Sequence, residues 1–325
     1  MMGVDALPVE ARGLTKIYGE LRAVDDVDLM VTPGDVYGFL GPNGAGKTTS
    51  LRMLLGLIRP TAGSARLFGR DPLEIGAAAL DGVAGFVEAP RFYPYLTGRK
   101  NLELVAAYDG GGAAGRIDSA LDTVDLADRA GDRVGGYSHG MRQRLGIAGA
   151  LLRAPKLLLL DEPATGLDPA GMRDMRILIR RLAGDGMTVL LSSHLMDEVQ
   201  ELCNSVGIVQ RGRMVYQGPL ADLLATAAGR YRMTTSDDDR AAAAAATHRG
   251  LRDVKRMTDH VSFVATDQRA VEEFSLALAG ENLALRSLVP VTATLEELFF
   301  AITEGDGLSA ADADPATHER VLEAI

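Results

Sequence analysis

The sequence has few of the features that mark secreted or membrane-spanning chains. It contains one cysteine and no tryptophan, and aromatic residues make up only 5% of its 325 residues. The single cysteine, Cys203, excludes an internal disulfide, which suits a reducing compartment. We expect it to be a small buried residue at the end of a helix. No apolar run approaches the roughly 20 residues that span a bilayer, and residues 1–10 lack the apolar segment of a signal peptide.

Positive charge is also scarce. The chain has 34 Lys and Arg against 44 Asp and Glu, which gives a net charge of −10. Sequence-independent binding of nucleic acid needs a basic surface, so we expect no nucleic-acid partner, although a local basic patch is compatible with this composition. The hydrophobic fraction of 47% is ample for a core. The length predicts two domains, one of which can be small.

The most informative segment is a glycine-rich run that fits G-x-x-x-x-G-K-[ST], the pattern of a phosphate-binding loop. It follows an apolar run over 36–40 that predicts a buried strand, and it precedes a segment over 48–57 that predicts a helix. In such a loop the backbone amides face an anion, Lys47 reaches the β- and γ-phosphates and Thr48 ligates Mg²⁺. The alternative is a glycine-rich turn before a helix. The predicted nucleotide-binding residues here are Gly41, Pro42, Asn43, Gly44, Ala45, Gly46, Lys47, Thr48 and Thr49.

The order of the predicted elements indicates an α/β protein. Short β-like runs over 7–37 predict antiparallel strands, and residues 89–150 read as mostly helical with an interruption at 110–112. Two apolar runs, over 157–160 and 188–191, predict buried parallel strands separated by a helix. We therefore expect a P-loop core with an antiparallel β subdomain and a helical subdomain, followed by a small C-terminal α/β domain.

Composition changes near residue 222 and sets the expected domain boundaries. The run Ala241–Ala246 is either a helical linker or a loop excursion within the small domain. The expected segments are a nucleotide-binding domain over 8–222, a linker over 223–250, a small domain over 251–303 and a loosely held tail over 304–325.

The apolar run over 157–160 ends in two acids, Asp161 and Glu162. Open α/β sheets bind ligands at the carboxyl edge of their strands, where Asp161 would hold Mg²⁺. Glu162 is one residue further along, so its side chain points elsewhere, toward a water that attacks the γ-phosphate; it is the candidate general base. A helix-capping role for the acids is the alternative.

The segment Tyr137–Arg144 narrows the choice among ATPases. It resembles the signature of ATP-binding cassette (ABC) ATPases, Leu-Ser-Gly-Gly-Gln followed by a basic helix. Ser138 and Gly140 match, whereas Tyr137, His139 and Met141 depart from the pattern. Ser138 lies 162 − 138 = 24 residues before Glu162, which is the family's order and approximate gap.

The resemblance implies further site residues. His194 closes the next strand and resembles the histidine that senses the γ-phosphate, although a histidine at a strand end is often structural. Tyr18 stands where the family's adenine-stacking aromatic sits; the alternative is packing on its strand neighbours. Glu88 occupies the position of the Q-loop glutamine, where a carboxylate can support Mg²⁺ or orient a water. Residues implied to contact nucleotide held by a second cassette are Ser138, Gly140, Met141 and, in the D-loop, Asp168.

The resemblance also implies partners. One phosphate loop and one signature cannot complete two sites, so the chain is expected to pair with a second copy. A separate polytopic membrane subunit is expected, with the chain peripheral at the cytoplasmic face. The aromatic loop Arg91–Tyr95 is either core or part of the groove that receives that subunit. Residues 292–303 resemble the closing motif of daunorubicin-resistance exporters and predict an amphipathic helix. An importer ATPase, or a soluble ABC ATPase that acts on DNA or ribosomes, remains the alternative.

Overall fold

The computed structural model describes residues 6–109, 112–225, 229–291 and 294–304. The chain divides into two compact units, the first ending at Leu220 and the second beginning at Ala221. The expectations for residues 110–111, 292–293 and 305–325 lie outside the described residues. In the described ranges, no helix combines the length and apolar character needed to cross a bilayer.

In the described residues, the first unit contains nine strands and most of the helices. The strands are β1 Val9–Tyr18, β2 Leu21–Val31, β3 Val36–Leu40, β4 Ala62–Leu67, β5 Val83–Phe86, β6 Leu157–Asp161, β7 Thr188–Ser193, β8 Ser205–Gln210 and β9 Arg213–Pro219. The helices are α1 Lys47–Leu54, α2 Pro72–Ile75, α3 Gly98–Tyr108, α4 Ile117–Thr123, α5 His139–Leu151, α6 Pro169–Gly184, α7 Met196–Leu202 and, across the boundary, α8 Leu220–Ala225.

Two sheets form this unit. Strands β2-β1-β4 make an antiparallel sheet, and β5-β6-β7-β3-β8-β9 make a second sheet that is parallel except for the β8–β9 pair. Strands β3, β6 and β7 are buried along their whole length, as expected for apolar strands of a parallel sheet covered on both faces. One apolar core joins side chains of both sheets with those of α1.

Helix α1 is shorter than the predicted helix over 48–57. It ends at Leu54 because Gly56 adopts φ 69, and the amide of Leu57 turns back to donate to the carbonyl of Arg52 at 2.9 Å. A left-handed glycine after the last turn is a common helix terminator. Cys203 lies buried just after α7, as predicted, and burial raises the pKa of its thiol.

Over the part of the second unit that the structure describes, the chain forms a four-stranded antiparallel sheet with helices. Its elements are β10 Arg230–Thr235, α9 Asp238–Thr247, β11 Leu251–Arg256, β12 Val261–Ala265, α10 Gln268–Gly280, β13 Leu285–Pro290 and α11 Leu295–Glu304. The strands lie in the order β11-β12-β10-β13. Phe263 and Phe274 pack edge to face in its core, with their ring centroids 5.6 Å apart. On α11, Leu295, Leu298 and Phe299 are buried at helical spacing.

The expected linker over 223–250 is wrong, because most of it is folded into this second unit. Strand β10 pairs with β12 and β13, so it is part of the sheet. Asp237 caps α9 by accepting from the amide of Arg240 at 3.1 Å. Ala241 and Ala245, one helical turn apart, are fully buried in the core. The alanine run therefore lets α9 approach the sheet closely, since alanine adds no bulk between helix and strand.

Candidate functional site

The loop between β3 and α1 has the geometry of an anion cradle. Gly46, the residue before α1, adopts φ 99, and a Cβ at this position would lie 2.4 Å from the carbonyl oxygen of Ala23. Only glycine fits this position without displacing the neighbouring backbone. The first turn of α1 then points its free amides back toward the loop, as phosphate-binding helices do.

Lys47 is bent over this loop. Its side chain is only 6% exposed, and its Nζ donates to the carbonyl of Gly41 at 2.7 Å. The same ammonium lies 3.2 Å from Oε1 of Glu162. A buried ammonium needs such partners, and an incoming phosphate would offer it an alternative to the Glu162 carboxylate.

Asp161 lies at the end of β6, beneath the start of α1, and is almost fully buried. Its Oδ2 accepts from the hydroxyl of Thr48 at 2.9 Å and from the amide of Glu88 at 3.3 Å, while its Oδ1 accepts from the hydroxyl of Ser192. Three donors, one each from α1, β7 and the loop after β5, therefore fix the carboxylate next to Thr48. The pair brings together two oxygen ligands of the kind that Mg²⁺ prefers.

Glu162 turns away from Asp161 because its backbone has φ 51. Its Oε2 accepts from the hydroxyl of Thr165 at 2.7 Å and lies 2.6 Å from Nδ1 of His194. Burial alone would raise the pKa of this carboxyl, but the Thr165 hydrogen bond, the Lys47 charge and His194 outweigh burial and lower the pKa. The ionised form is therefore favoured, which is the form that a proton acceptor requires.

These groups surround a cleft of about 500 Å³. Tyr18 stands at its edge, 47% exposed, with Nζ of Lys16 5.1 Å from the ring centroid. An exposed aromatic face beside a phosphate loop can accept the flat face of a base. The lining residues are Tyr18, Leu21, Ala23, Pro42, Asn43, Gly44, Gly46, Lys47, Thr48, Thr49, Glu162, Thr165 and His194.

Glu88 contacts the site by its main chain rather than its side chain. Its amide donates to Asp161, as described above, whereas its carboxylate pairs with Arg52 on α1. The Glu88 side chain is 58% exposed in this pair. The structure thus places Glu88 next to the predicted metal-holding group, with its carboxylate turned to a basic partner.

None of the signature residues lines this cleft. Ser138 caps α5 by accepting from the amide of Met141 at 3.2 Å, and the Met141 side chain is buried. Asp168 caps α6 in the same way, accepting from the amide of Gly171 at 2.9 Å. Ser138, Gly140 and Asp168 therefore stand at the N-terminal ends of two helices, where anions are favoured.

The residues present fit a magnesium–nucleotide complex. The cradle at Gly46, the buried ammonium of Lys47 and the Thr48–Asp161 pair supply an anion site next to two metal-compatible oxygens. Among the described residues, no cluster of three or more His, Cys, Asp or Glu is arranged to hold a metal on its own. A bound Mg²⁺ would therefore complete its shell with phosphate oxygens and water.

Sequence reasoning missed Thr165 and Ser192 as parts of the site. Thr165 lines the cleft and donates to Glu162, while Ser192 holds both the side chain of Asp161 and the backbone of Glu162. The available signal was a hydroxyl three residues after an acid, and one at the end of the adjacent buried strand. Neither pattern identifies a site residue unless the fold is known.

Comparison with known proteins identifies this arrangement. The ABC transporter family matches residues 24–165. The bacitracin transport ATP-binding protein BcrA of Bacillus licheniformis is 44% identical over 216 residues, covering 66% of this chain and 71% of that protein. The chain belongs to the ABC transporter family. It is an ATP-binding subunit with ATPase activity, as the phosphate loop predicted.

A second ABC relative matches almost from end to end. The daunorubicin/doxorubicin resistance ATP-binding protein DrrA of Streptomyces peucetius is 32% identical, with 96% of this chain and 97% of that protein covered. The resemblance predicted from the signature and the C-terminal segment is thereby confirmed.

Solved ABC cassettes share the fold of the first unit. A structure of the ATP-binding subunit of an ABC transporter aligns with a TM-score of 0.59 at 28% identity, covering 66% of this chain and 91% of that chain. A dimeric ATP-binding cassette in a post-hydrolysis state, bound to ADP and Pi, aligns with a TM-score of 0.58 at 25% identity, covering 65% and 98%. The predicted α/β P-loop fold of ABC type is confirmed.

Proposed function

We propose that this ABC ATPase powers export through a separate membrane-spanning chain. The observation that carries the proposal is the match to DrrA, because it extends through the second unit as well as the cassette. BcrA is named for bacitracin transport. The class of compound moved, whether drug, antibiotic, lipid or peptide, depends on the membrane chain.

The site residues are assigned roles that their contacts support. Lys47 holds the terminal phosphates, because its ammonium lies over the phosphate loop and lines the cleft. Thr48 and Asp161 hold Mg²⁺, with Glu88 beside them. Glu162 accepts the proton of the attacking water. His194 keeps the Glu162 carboxylate oriented through the 2.6 Å contact between its Nδ1 and Oε2 of Glu162. When bound, Mg²⁺ would neutralise charge that develops on the phosphate oxygens.

The signature completes the site of a second copy. Four residues at helix N-termini, which favour anions, do not line this chain's own cleft: Ser138, Gly140, Met141 and Asp168. A head-to-tail pair in C2 symmetry would bring them to the partner's γ-phosphate. The dimeric cassette bound to ADP and Pi supports this assembly.

The membrane partner is expected at the aromatic loop. Tyr93 and Tyr95 are 51% and 65% exposed, with ring centroids 5.8 Å apart, so the core interpretation of these two side chains is wrong. The loop follows Glu88, which touches Asp161, so a partner that moves this loop can reach the metal site. We place the chain at the cytoplasmic face of the membrane, with no nucleic-acid partner.

The test is a pull-down of the tagged chain from native membranes in mild detergent, with identification of what co-purifies. A polytopic membrane protein is expected, and exchange of Tyr93 and Tyr95 for serine should reduce its recovery. A solute-binding protein in the same complex would favour the importer alternative. Recovery only from the soluble fraction with ribosomes or nucleic acid would contradict transport and leave the ATPase assignment in place.

A further inference from the structure

One hydrogen bond joins the signature helix to the loop that follows Glu162. Nε2 of His139, the first residue of α5, lies 3.1 Å from the backbone carbonyl oxygen of Thr165. A carbonyl oxygen only accepts, so Nε2 carries the proton and His139 is the donor. The ring also packs over Gly166, where an added Cβ would lie 3.5 Å from Nε2. His139 therefore contacts the loop at Thr165 and Gly166.

Thr165 also contacts Glu162, which lines the cleft. The hydroxyl of Thr165 donates to Oε2 of Glu162 at 2.7 Å, and the amide of Thr165 donates to the carbonyl of Glu162 at 3.2 Å. Thr165 thus accepts from His139 on one side and donates to the candidate proton acceptor on the other. Adjacent to this link, Gly140 faces Leu167, with a hypothetical Cβ 3.6 Å from the leucine side chain.

We infer that His139 is a positioning residue that couples the N-terminus of α5 to Glu162 through Thr165. The inference rests on the proposed function, in which the N-terminus of α5 meets the γ-phosphate held by a second copy. When that end of α5 is seated on the partner's nucleotide, His139 holds the Thr165 carbonyl, and the Thr165 hydroxyl holds the Glu162 carboxylate. The state of one site thereby sets the alignment of the carboxylate in the other.

A purely structural brace would give a different result. Loss of a brace lowers stability and disturbs nucleotide binding and turnover together, whereas loss of a positioning contact lowers turnover selectively. His139 does not line the cleft of its own chain, so its removal leaves the phosphate loop intact. The split between kcat and nucleotide affinity is therefore the informative readout.

The experiment compares His139→Phe, which keeps a ring and removes the donor, with His139→Gln, which keeps a donor. The purified full chain is assayed for ATP hydrolysis against ATP concentration, and for binding of a fluorescent ATP analogue. Loss of one neutral hydrogen bond predicts a two- to tenfold lower kcat for His139→Phe, with nucleotide affinity within twofold of wild type. His139→Gln should recover most of the rate. His260→Phe, in the second unit, is the matched control and should leave the rate unchanged.

Substitutions at Thr165 provide a second test. Thr165→Val removes the hydroxyl that reaches Glu162, whereas Thr165→Ser keeps it. If both residues act along one path, His139→Phe combined with Thr165→Val should lower kcat by less than the product of the two single effects.

A wild-type kcat for His139→Phe, a matched loss of affinity, failure of Gln to restore the rate, or fully multiplicative effects would overturn the inference. Loss of hydrolysis in Glu162→Gln with a wild-type rate in His139→Phe would reject the coupling and keep the proposed function. No loss in Glu162→Gln would reject the proposed proton acceptor itself.

Discussion

Replacing Glu162 by glutamine separates two functions of this side chain. In this structure the carboxylate faces the Lys47 ammonium at 3.2 Å and also contacts Thr165 and His194. ATP phosphate and Glu162 therefore compete for Lys47, which is almost fully buried. A hydrogen bond to a charged group contributes about 1.5–3 kcal/mol, so removing the negative charge should tighten ATP binding by roughly tenfold or more.

Hydrolysis should change in the opposite direction. A positioned general base contributes about 10²–10⁴ in rate, and an amide cannot accept the proton of water at neutral pH. Glu162→Gln is thus expected to bind ATP at least as well as wild type, to lose at least about 99% of turnover and to accumulate as an ATP-bound dimer. Phosphate release, equilibrium nucleotide binding and gel filtration with ATP measure the three effects.

A matched control uses an exposed glutamate of the same unit. Glu74→Gln, on α2, removes one negative charge without touching the cleft and should behave as wild type. A wild-type rate for Glu162→Gln would refute the proton-acceptor role. Weaker ATP binding by Glu162→Gln would refute the competition for Lys47, whatever happens to the rate.

Three further substitutions test neighbouring groups. Lys47→Ala should weaken ATP affinity at least tenfold and abolish hydrolysis; unchanged affinity in a binding titration would count against the loop assignment. Glu88→Gln should change the free energy of unfolding by less than about 1 kcal/mol, since the Arg52 pair is exposed, but should raise the Mg²⁺ concentration needed for hydrolysis; an unchanged Mg²⁺ titration would contradict the metal role. Burial raises the pKa of Glu198 above its ordinary 4.5, so ionisation is disfavoured in the fold and wild-type stability falls as pH rises from 4.5 toward that raised pKa. The melting temperature of Glu198→Gln minus that of wild type should therefore be larger at pH 8 than at pH 4.5. An equal difference at both pH values would refute this reasoning.

The sequence predicted best those parts of the fold whose pattern lies within one continuous segment. The buried strand over 36–40, the glycine-rich loop and the following helix are adjacent, so their pattern is local. The linker over 223–250 failed because composition was the only guide. A charged stretch and an alanine run look like a solvated spacer, yet Asp237 caps α9 and two of the alanines meet the sheet core.

Contacts between distant segments could not be predicted in this way. His139 and Thr165 are 26 residues apart, and the histidine stands where the resemblance expected a glycine. From the sequence it was only a departure from a pattern. The bond to the Thr165 carbonyl depends on how α5 packs against the loop before α6, which no local periodicity encodes.

Glu88 shows how backbone geometry decides what a substitution can change. Its φ of 69 lies in the left-handed region, and the residue directs its amide to Asp161 and its carboxylate to Arg52. The amide contact is independent of side-chain identity, so a glutamine would preserve it provided it adopted the same backbone. What Glu88 adds over glutamine is therefore charge, in an exposed pair on the first helix after the phosphate loop. Any effect of this departure must act through electrostatics near the metal or through the loop's attachment to α1, and not through the position of Asp161.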